Sequence, residues 1–345
     1  MPEPFVVRPR GDSPVAPAHP ARASVRAARA PVLPADPPFD RLAPHLRDPQ
    51  ITDVFLNGAD RLYVDRGAGA ERIDGWRAAE EDVRELAVAL ISLGGRHVDD
   101  AAPCVDVRLE SGARVHAVLP PVATAGTVVS LRIPTLDRPS LSELEQQGCF
   151  SAAARSWLED VVAQRRNVLI TGAAGSGKTT LLAAMLSSAP PTDRIVTIED
   201  VAELRIDHPH HVALEARQPN LEGAGGIGLA RLVRESLRMR PDRIVVGECR
   251  GEEVRELLTA LNTGHEGGAG TLHANGLEDV PARLEALGAL AGLDDRALAR
   301  QAVSAIAWVL HLERDGDGVR RLVEAGRLGI ADDRLAIERG EPWAG

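Results

Sequence analysis

Aromatic residues are scarce in this 345-residue chain: four Phe, four Trp and one Tyr make up 3% of it. Channels that track single strands of nucleic acid stack bases on aromatic rings along basic grooves. The basic groove is not indicated either, because 50 Asp and Glu outnumber 40 Lys and Arg and give a formal charge of −10. No direct nucleic-acid partner is therefore expected, although a local basic channel stays open. Cysteine is rarer still. Cys104, Cys149 and Cys249 are odd in number, far apart and without a C-x-x-C pair, so neither a disulfide framework nor a zinc knuckle is suggested and a reducing compartment fits best. Long apolar runs are also missing. The best candidate, Leu86 to Gly95, is bounded by Glu85 and Arg96 and falls well short of the ~20 residues that span a bilayer. The N-terminus lacks the basic start and apolar centre of a signal peptide. Together these absences predict a soluble, cytoplasmic protein.

What is present is organised around Asn167-Val-Leu-Ile-Thr-Gly172-Ala-Ala-Gly175-Ser-Gly177-Lys178-Thr179-Thr180. Gly172, Gly177, Lys178 and Thr179 match the P-loop pattern G-x-x-x-x-G-K-[ST]. Val168 to Thr171 read as a buried strand and Thr180 to Leu186 as the start of an apolar-faced helix. Glycines let the loop curl its N–H groups inward at a helix N-terminus, where the dipole favours an anion. The loop Gly172, Ala173, Ala174, Gly175, Ser176, Gly177, Lys178, Thr179 and Thr180 is thus the expected cradle for ATP. Lys178 would reach the β- and γ-phosphates and Thr179 would offer its hydroxyl to Mg²⁺. A bare glycine-rich turn would explain the glycines but leave a lysine unpaired at a positive helix end.

With 44% hydrophobic residues the chain can fill two cores. Residues 1–38, mixed Pro, Ala and Arg, read as a disordered tail, either a plain solvated arm or a weakly basic docking segment. Residues 39–139 read as an α+β domain. Its expected strands are Ile51 to Leu56, Arg61 to Asp65, Cys104 to Leu109, Arg114 to Leu119 and Val128 to Ile133; the first two are joined at Asn57-Gly58. Glu81 to Leu93 puts Val83, Leu86, Ala87, Leu90 and Ile91 on one helical face. Arg114 and Arg132 sit in these strands, and composition alone favours outward-facing edge residues.

Leu136 to Phe150, which contains Pro139 and Gly148, reads as a linker that ends in a short helix, with residues 140–150 the link between domains and residues 151–345 the nucleotide-binding domain. Its first helix, Ser151 to Arg165, would turn Trp157, Leu158, Val161 and Val162 inward. Two apolar strands then end in acids: Arg194 to Asp200, carrying Glu199 and Asp200 with Glu203 just beyond, and Asp242 to Glu248. Glu248 is the Walker B candidate, placed to hold the Mg²⁺ shell through water or to polarise the attacking water. His208, His210 and His211 invite a metal reading, but Pro209 breaks the run and a solvated loop is the plainer one. His265 and His273 bracket a short strand, Gly270 to Leu272, and are expected at its phosphate end as a γ-phosphate sensor. Two helices across Asp279 to Ala307 and strands at Ala307 to Glu313 and Gly318 to Gly326 complete the chain.

These motifs resemble the secretion ATPases that power type II and type IV secretion and type IV pili. The block from Leu237 to Gly251, followed by Thr263-Gly-His-Glu-Gly and Thr271-Leu-His-Ala-Asn275, looks most like the tight-adherence (Tad) pilus branch, over about residues 45 to 310. The resemblance implies an α/β fold with a RecA-like P-loop ATPase domain and a smaller N-terminal α+β domain, ATP lying between them. It implies a homohexamer at the inner face of the cytoplasmic membrane that hydrolyses ATP and drives a polytopic inner-membrane platform protein, for pilus assembly or secretion. Pilus retraction, another type II or type IV role, a RecA-like translocase and a nucleotide-dependent scaffold are the alternatives. The implied catalytic set is Glu248, Glu199, Glu203, His265 and His273, with Arg114 and Arg132 on the γ-phosphate. Arg217, Arg238 and Arg240 match further family arginines without an assigned role. The tetracysteine zinc module of many relatives is absent, and no zinc is expected; Cys249 stands where an aliphatic residue is more usual.

Overall fold

The computed structural model describes residues 33–343 except 35, 49, 68, 134–137, 218–223, 317 and 341. In chain order the elements are β1 (Asp53–Asn57), β2 (Leu62–Asp65), β3 (Ala70–Arg72), α1 (Glu80–Leu93), β4 (Cys104–Arg108), β5 (Arg114–Val118), β6 (Val128–Arg132), α2 (Leu141–Gln146), α3 (Ala152–Ala163), β7 (Val168–Gly172) and α4 (Lys178–Ser187). They continue with β8 (Ile195–Glu199), β9 (His211–Glu215), α5 (Leu229–Ser236), β10 (Arg243–Val246), α6 (Glu253–Leu261), β11 (Ala269–His273), α7 (Val280–Leu290), α8 (Asp295–Ala305), β12 (Trp308–Arg314), β13 (Arg320–Ala331) and β14 (Arg334–Gly340).

Two sheets result. The first, in the order β3-β2-β1-β6-β5-β4, is antiparallel throughout. Strands β1, β2 and β5 alternate buried and part-buried residues because one face meets the core under α1 and the other meets solvent or the rest of the chain. The expected α1 face, Val83, Leu86, Ala87, Leu90 and Ile91, is the buried one. At its end, a Cβ on Gly94 would fall 2.3 Å from Val107 Cβ, so only glycine lets the helix turn that close to β4. Fully burying one such Leu or Ile contributes about 1.5–3 kcal/mol, so this stripe anchors the sheet.

The second sheet runs β14-β13-β12-β7-β11-β10-β8-β9. From β12 to β9 neighbouring strands are parallel, and β13 and β14 add antiparallel edges. Every residue of β7, β8 and β10 is buried, because helices cover both faces. One apolar core joins the sheet to α2, α3 and α4, and the other joins it to α5, α6, α7 and α8. The carboxyl ends of the parallel strands therefore form one edge, at which Gly172, Glu199 and His273 emerge.

Three of the four tryptophans gather elsewhere. Trp157 meets Trp308 and Trp343 edge to face at centroid distances of 5.1 and 5.3 Å, with Arg327 stacked 4.3 Å over Trp308. Trp308 pairs with Val168, the first residue of β7, so the cluster lies at the strand starts, away from the phosphate loop. Trp76 sits in the first core.

Several boundaries differ from expectation. Residues 1–32 of the expected tail lie outside the described residues, but Leu33 is 5% exposed and belongs to the first core, so packed chain begins before Phe39. The expected linker is packed as well: Leu141, Leu144, Cys149 and Phe150 are buried with α4. Its short helix, α2, is started by a reciprocal cap in which Glu143 N–H donates to Ser140 Oγ at 3.2 Å and Ser140 N–H to Glu143 Oε2 at 2.8 Å. Trp157 is only half-buried, and Ala154 takes its expected place on the inner face of α3. Part of the expected glycine-rich loop Glu222 to Gly228 lies outside the described residues.

Candidate functional site

The phosphate loop joins β7 to α4. Gly172 has φ 147°, and a Cβ there would lie 2.3 Å from the Leu312 carbonyl oxygen, so β12 underlies the loop too closely for any side chain. Gly177 opens α4 in a left-handed conformation, φ 99°. Lys178 follows, the only lysine in the chain. Its side chain is buried and its Nζ donates to the carbonyls of Gly172 and Ala173 at 2.8 Å each. Burial pulls the Lys178 pKa down; Glu248 nearby pulls it up and Arg250 lowers it further.

Facing the loop are the acids at the ends of β8 and β10. Glu199 is 5% exposed. Its Oε1 accepts the N–H groups of Glu203 and Leu204 at 2.9 and 3.0 Å and so fixes the turn after β8. Its Oε2 is buried and has no hydrogen-bond partner among the described residues. Burial pushes its pKa up to about 7, against those two N–H bonds and with the help of Glu203 and Glu215. Gly247 makes room for it: a Cβ there would lie 2.5 Å from Glu199 Cγ. Burial also raises the Asp200 pKa, Arg250 opposing. Glu248 leaves β10 with Oε2 accepting from Arg250 Nε at 2.8 Å and from Arg250 Nη2, while His273 Nδ1 stands 3.7 Å from Glu248 Oε1.

The first sheet closes the site from above. Arg114 and Arg132 are register partners on β5 and β6, and Arg114 reaches Glu203 across to the second sheet at 3.1 Å. Both line a cavity of about 170 Å³ with Lys178, Thr179, Glu199, Asp200, Glu203, Glu248, Arg250 and His273. The next cavity, about 210 Å³, is lined by Lys178, Arg114, Arg132, Arg138, Arg205 and Arg320, with Glu203 its one carboxylate. Six cations against one acid, in a chain of net charge −10, is an anion site. Burial and the neighbouring Arg138 and Arg108 hold the Arg205 pKa down. A third cavity, about 370 Å³, continues past Gly177 between Leu144, Gln147, Cys149, Leu181, Leu312 and Val319.

The structure thus brings together the loop, Glu199, Glu203, Glu248, His273, Arg114 and Arg132. It does not bring His265. That ring precedes β11, bonds Nδ1 to the Ala260 carbonyl at 3.2 Å, and lies at the strand's opposite end. Five extended residues carry the chain ~16 Å, so two histidines bracketing a strand cannot share one end. Arg217, Arg238 and Arg240 line none of these cavities; Arg217 bonds the Gly225 carbonyl and Arg238 pairs with Glu235. His208, His210 and His211 each take a separate partner, the Pro190 carbonyl, Arg194 and Thr197. Among the described residues no group of three or more His, Cys, Asp or Glu could hold a metal ion.

Arg138, Arg205, Arg250 and Arg320 were not expected here. Arg320 comes from β13, with Nε donating to the Gly175 carbonyl at 3.2 Å, and only the tertiary pairing of β12 with β7 brings it to the loop. Arg250 had a local signal, since it follows Glu248 by two residues at a strand end.

The family model for type II/IV secretion system proteins matches residues 39–317. A protein of Mycobacterium tuberculosis strain H37Rv, provisionally named for conjugal transfer, is 50% identical over 300 residues, 85% of each chain. The type IV secretion system protein VirB11 of Brucella suis biovar 1 is 31% identical over 268 residues, 70% of this chain and 73% of that one. Among solved structures, the Legionella pneumophila ATPase DotB superposes with a TM-score of 0.54 at 21% identity, covering 87% of this chain and 79% of that one. At that identity the likeness speaks for the fold, which is α/β with a RecA-like core.

Proposed function

The chain belongs to the type II/IV secretion system protein family, and on that premise we propose that it is an ATPase motor, hydrolysing ATP to ADP and phosphate to drive a secretion or pilus system. The observation that carries this reading is the convergence on one cleft of a P-loop lysine, the carboxylate Glu248 and cations from the other sheet. Lys178 and the loop would hold the phosphates, and Glu248 would align or deprotonate water, with Glu199 and Glu203 as the acids behind it. Arg114 and Arg132 would lie against the γ-phosphate, and the third cavity, whose apolar wall of Leu144, Leu181, Leu312 and Val319 is joined by Arg314 and Arg320, is large enough for a nucleoside. Mg²⁺ is held in such sites by one or two side chains plus phosphate oxygens and water; Thr179 directly and Glu248 through water fit that sparse style, both lining the same cavity.

In this reading residues 39–139 and 151–345 act as two domains joined through residues 140–150, and nucleotide in the cleft between them sets their angle. The working assembly is a homohexamer at the inner face of the cytoplasmic membrane, bearing on a membrane platform protein. Among the described residues no helix is long and apolar enough to cross a membrane, so such contact would be peripheral. The motif block from Leu237 to Asn275 supports the Tad pilus branch; the 50% identical mycobacterial relative supports a conjugal-transfer role as the second reading.

Phosphate release with MgATP, compared with the Lys178→Ala and Glu248→Gln proteins, tests the activity, and light scattering tests for six subunits. Wild-type protein without turnover, with or without the membrane partner, would sink the motor reading. Deleting the gene and scoring surface pili against DNA transfer separates the branches.

A further inference from the structure

Glu248, the proposed base, is not free. Its Oε2 accepts two bonds from Arg250, at 2.8 Å from Nε and from Nη2 as well, and Arg250 Nη1 lies 4.0 Å from Asp200 Oδ2. The backbone that carries Arg250 is fixed on both sides. Cys249 N–H donates to the Thr271 carbonyl at 2.8 Å, and the N–H groups of Arg250 and Gly251 both donate to Glu253 Oε1. Glu253 is 5% exposed and opens α6. The side chain, in contrast, is 62% exposed and lines the same cavity as Lys178 and Thr179. A long cation thus pivots on a rigid base, within reach of both the acid and the phosphate loop.

We infer that Arg250 is a γ-phosphate sensor that masks Glu248 and releases it when ATP, but not ADP, occupies the loop. This rests on the ATPase reading above. Two acceptors compete for one guanidinium. With its arginine 62% exposed, the Arg250–Glu248 pair gains only modestly from its charges, whereas a phosphate oxyanion offers charge-assisted, bidentate acceptance in a partly desolvated cleft. Lys178 gives up only two neutral carbonyls when a phosphate arrives, so it answers to any nucleotide with a β-phosphate. Arg250 must leave a carboxylate, so it answers only to the stronger, terminal anion. The transfer strips Glu248 of its counter-charge at the moment a water beside the γ-phosphate has to be activated, and ADP leaves the mask on.

Equilibrium titrations with MgADP and with the Mg²⁺ complex of the non-hydrolysable β,γ-imido analogue of ATP test this. Arg250→Ala is expected to leave ADP affinity within about twofold and to weaken the analogue by about tenfold or more, the scale of a charged hydrogen bond. Arg250→Lys should restore part of that loss. Glu248→Gln frees the guanidinium, so it should tighten the analogue by about two- to fivefold when Arg250 is present and not when residue 250 is Ala. That non-additivity would not arise from a merely structural arginine. Equal losses for both nucleotides, unchanged affinities, or additive effects in the double variant each overturn the inference. Absence of nucleotide binding by the wild-type protein would overturn the ATPase reading itself, a distinguishable result.

Discussion

Arg114 and Arg132 stand directly opposite each other on β5 and β6, two like charges in one cross-strand pair; among the described residues only Arg114 has a carboxylate within ion-pair distance, Glu203 at 3.1 Å, while Asp53 on β1 is the register neighbour on the other side of Arg132. Like charges so placed destabilise a sheet by about 0.2–1 kcal/mol. Such a pair makes sense where a ligand supplies the missing negative charge. Replacing Arg132 by Ala should therefore leave the melting temperature unchanged or slightly raised, while the Arg114→Ala, Arg132→Ala double variant keeps ADP binding and loses most ATP hydrolysis. A double variant that melts earlier yet turns over at the wild-type rate would reduce both residues to sheet-edge arginines.

Glu248→Gln should bind ATP and lose about 100-fold or more in turnover, because an amide keeps the shape but cannot take a proton. Its carboxylate is the one held between Arg250 and His273. If single-turnover rates stay near wild type, catalysis moves to Glu199 or Glu203, which line that cavity together with Asp200.

Lys178 offers a direct chemical test. As the chain's sole lysine, it is the one side-chain amine an acylating reagent can find, and its lowered pKa, from burial, keeps more of it in the reactive neutral form. Peptide mapping after brief acylation should show modification at Lys178, blocked by saturating ATP. Lys178→Ala should bind nucleotide about tenfold or more weakly. Labelling that ignores ATP would mean the loop is not used as proposed.

Glu199 links stability to pH. Its carboxyl titrates at about 7 in the folded protein against 4.5 ordinarily, so between those values the folded state holds a proton that the unfolded state has lost. The stabilisation is complete below pH 4.5 and disappears as pH rises through about 7. Urea unfolding of wild type against Glu199→Gln at pH 5 and pH 8 should reveal a difference of ~2–3 kcal/mol in that direction. Parallel pH dependences for the two proteins would assign the burial of Glu199 no such consequence.

Much of this was legible where burial is two-sided or strictly periodic. The uninterrupted apolar runs of β7, β8 and β10 declare central parallel strands, and the α1 face falls on the residues its period marks. Strands made by pairing alone were not. All three residues of β3 are exposed, and of β14 only Leu335 is buried, so neither leaves an alternating pattern. The start of α2 is written in Ser140 and Glu143, a cap signature obscured by the neighbouring chain breakers Pro139 and Gly148. His265 failed for want of strand geometry, and Arg320 because nothing local to β13 points to the phosphate loop.

The tryptophan arrangement equips the protein with two separate optical reporters. Trp76 alone speaks for the first core. Trp157, with Trp308 and Trp343 each in ring contact with it, speaks together with them for the other, from the end of the sheet remote from Lys178. None of the four lines the three cavities around the phosphate loop, so nucleotide will not quench them by touching them. Emission of the Trp76→Phe protein tracks melting of the RecA-like half alone, and its difference from the wild-type signal isolates the half that carries Arg114 and Arg132.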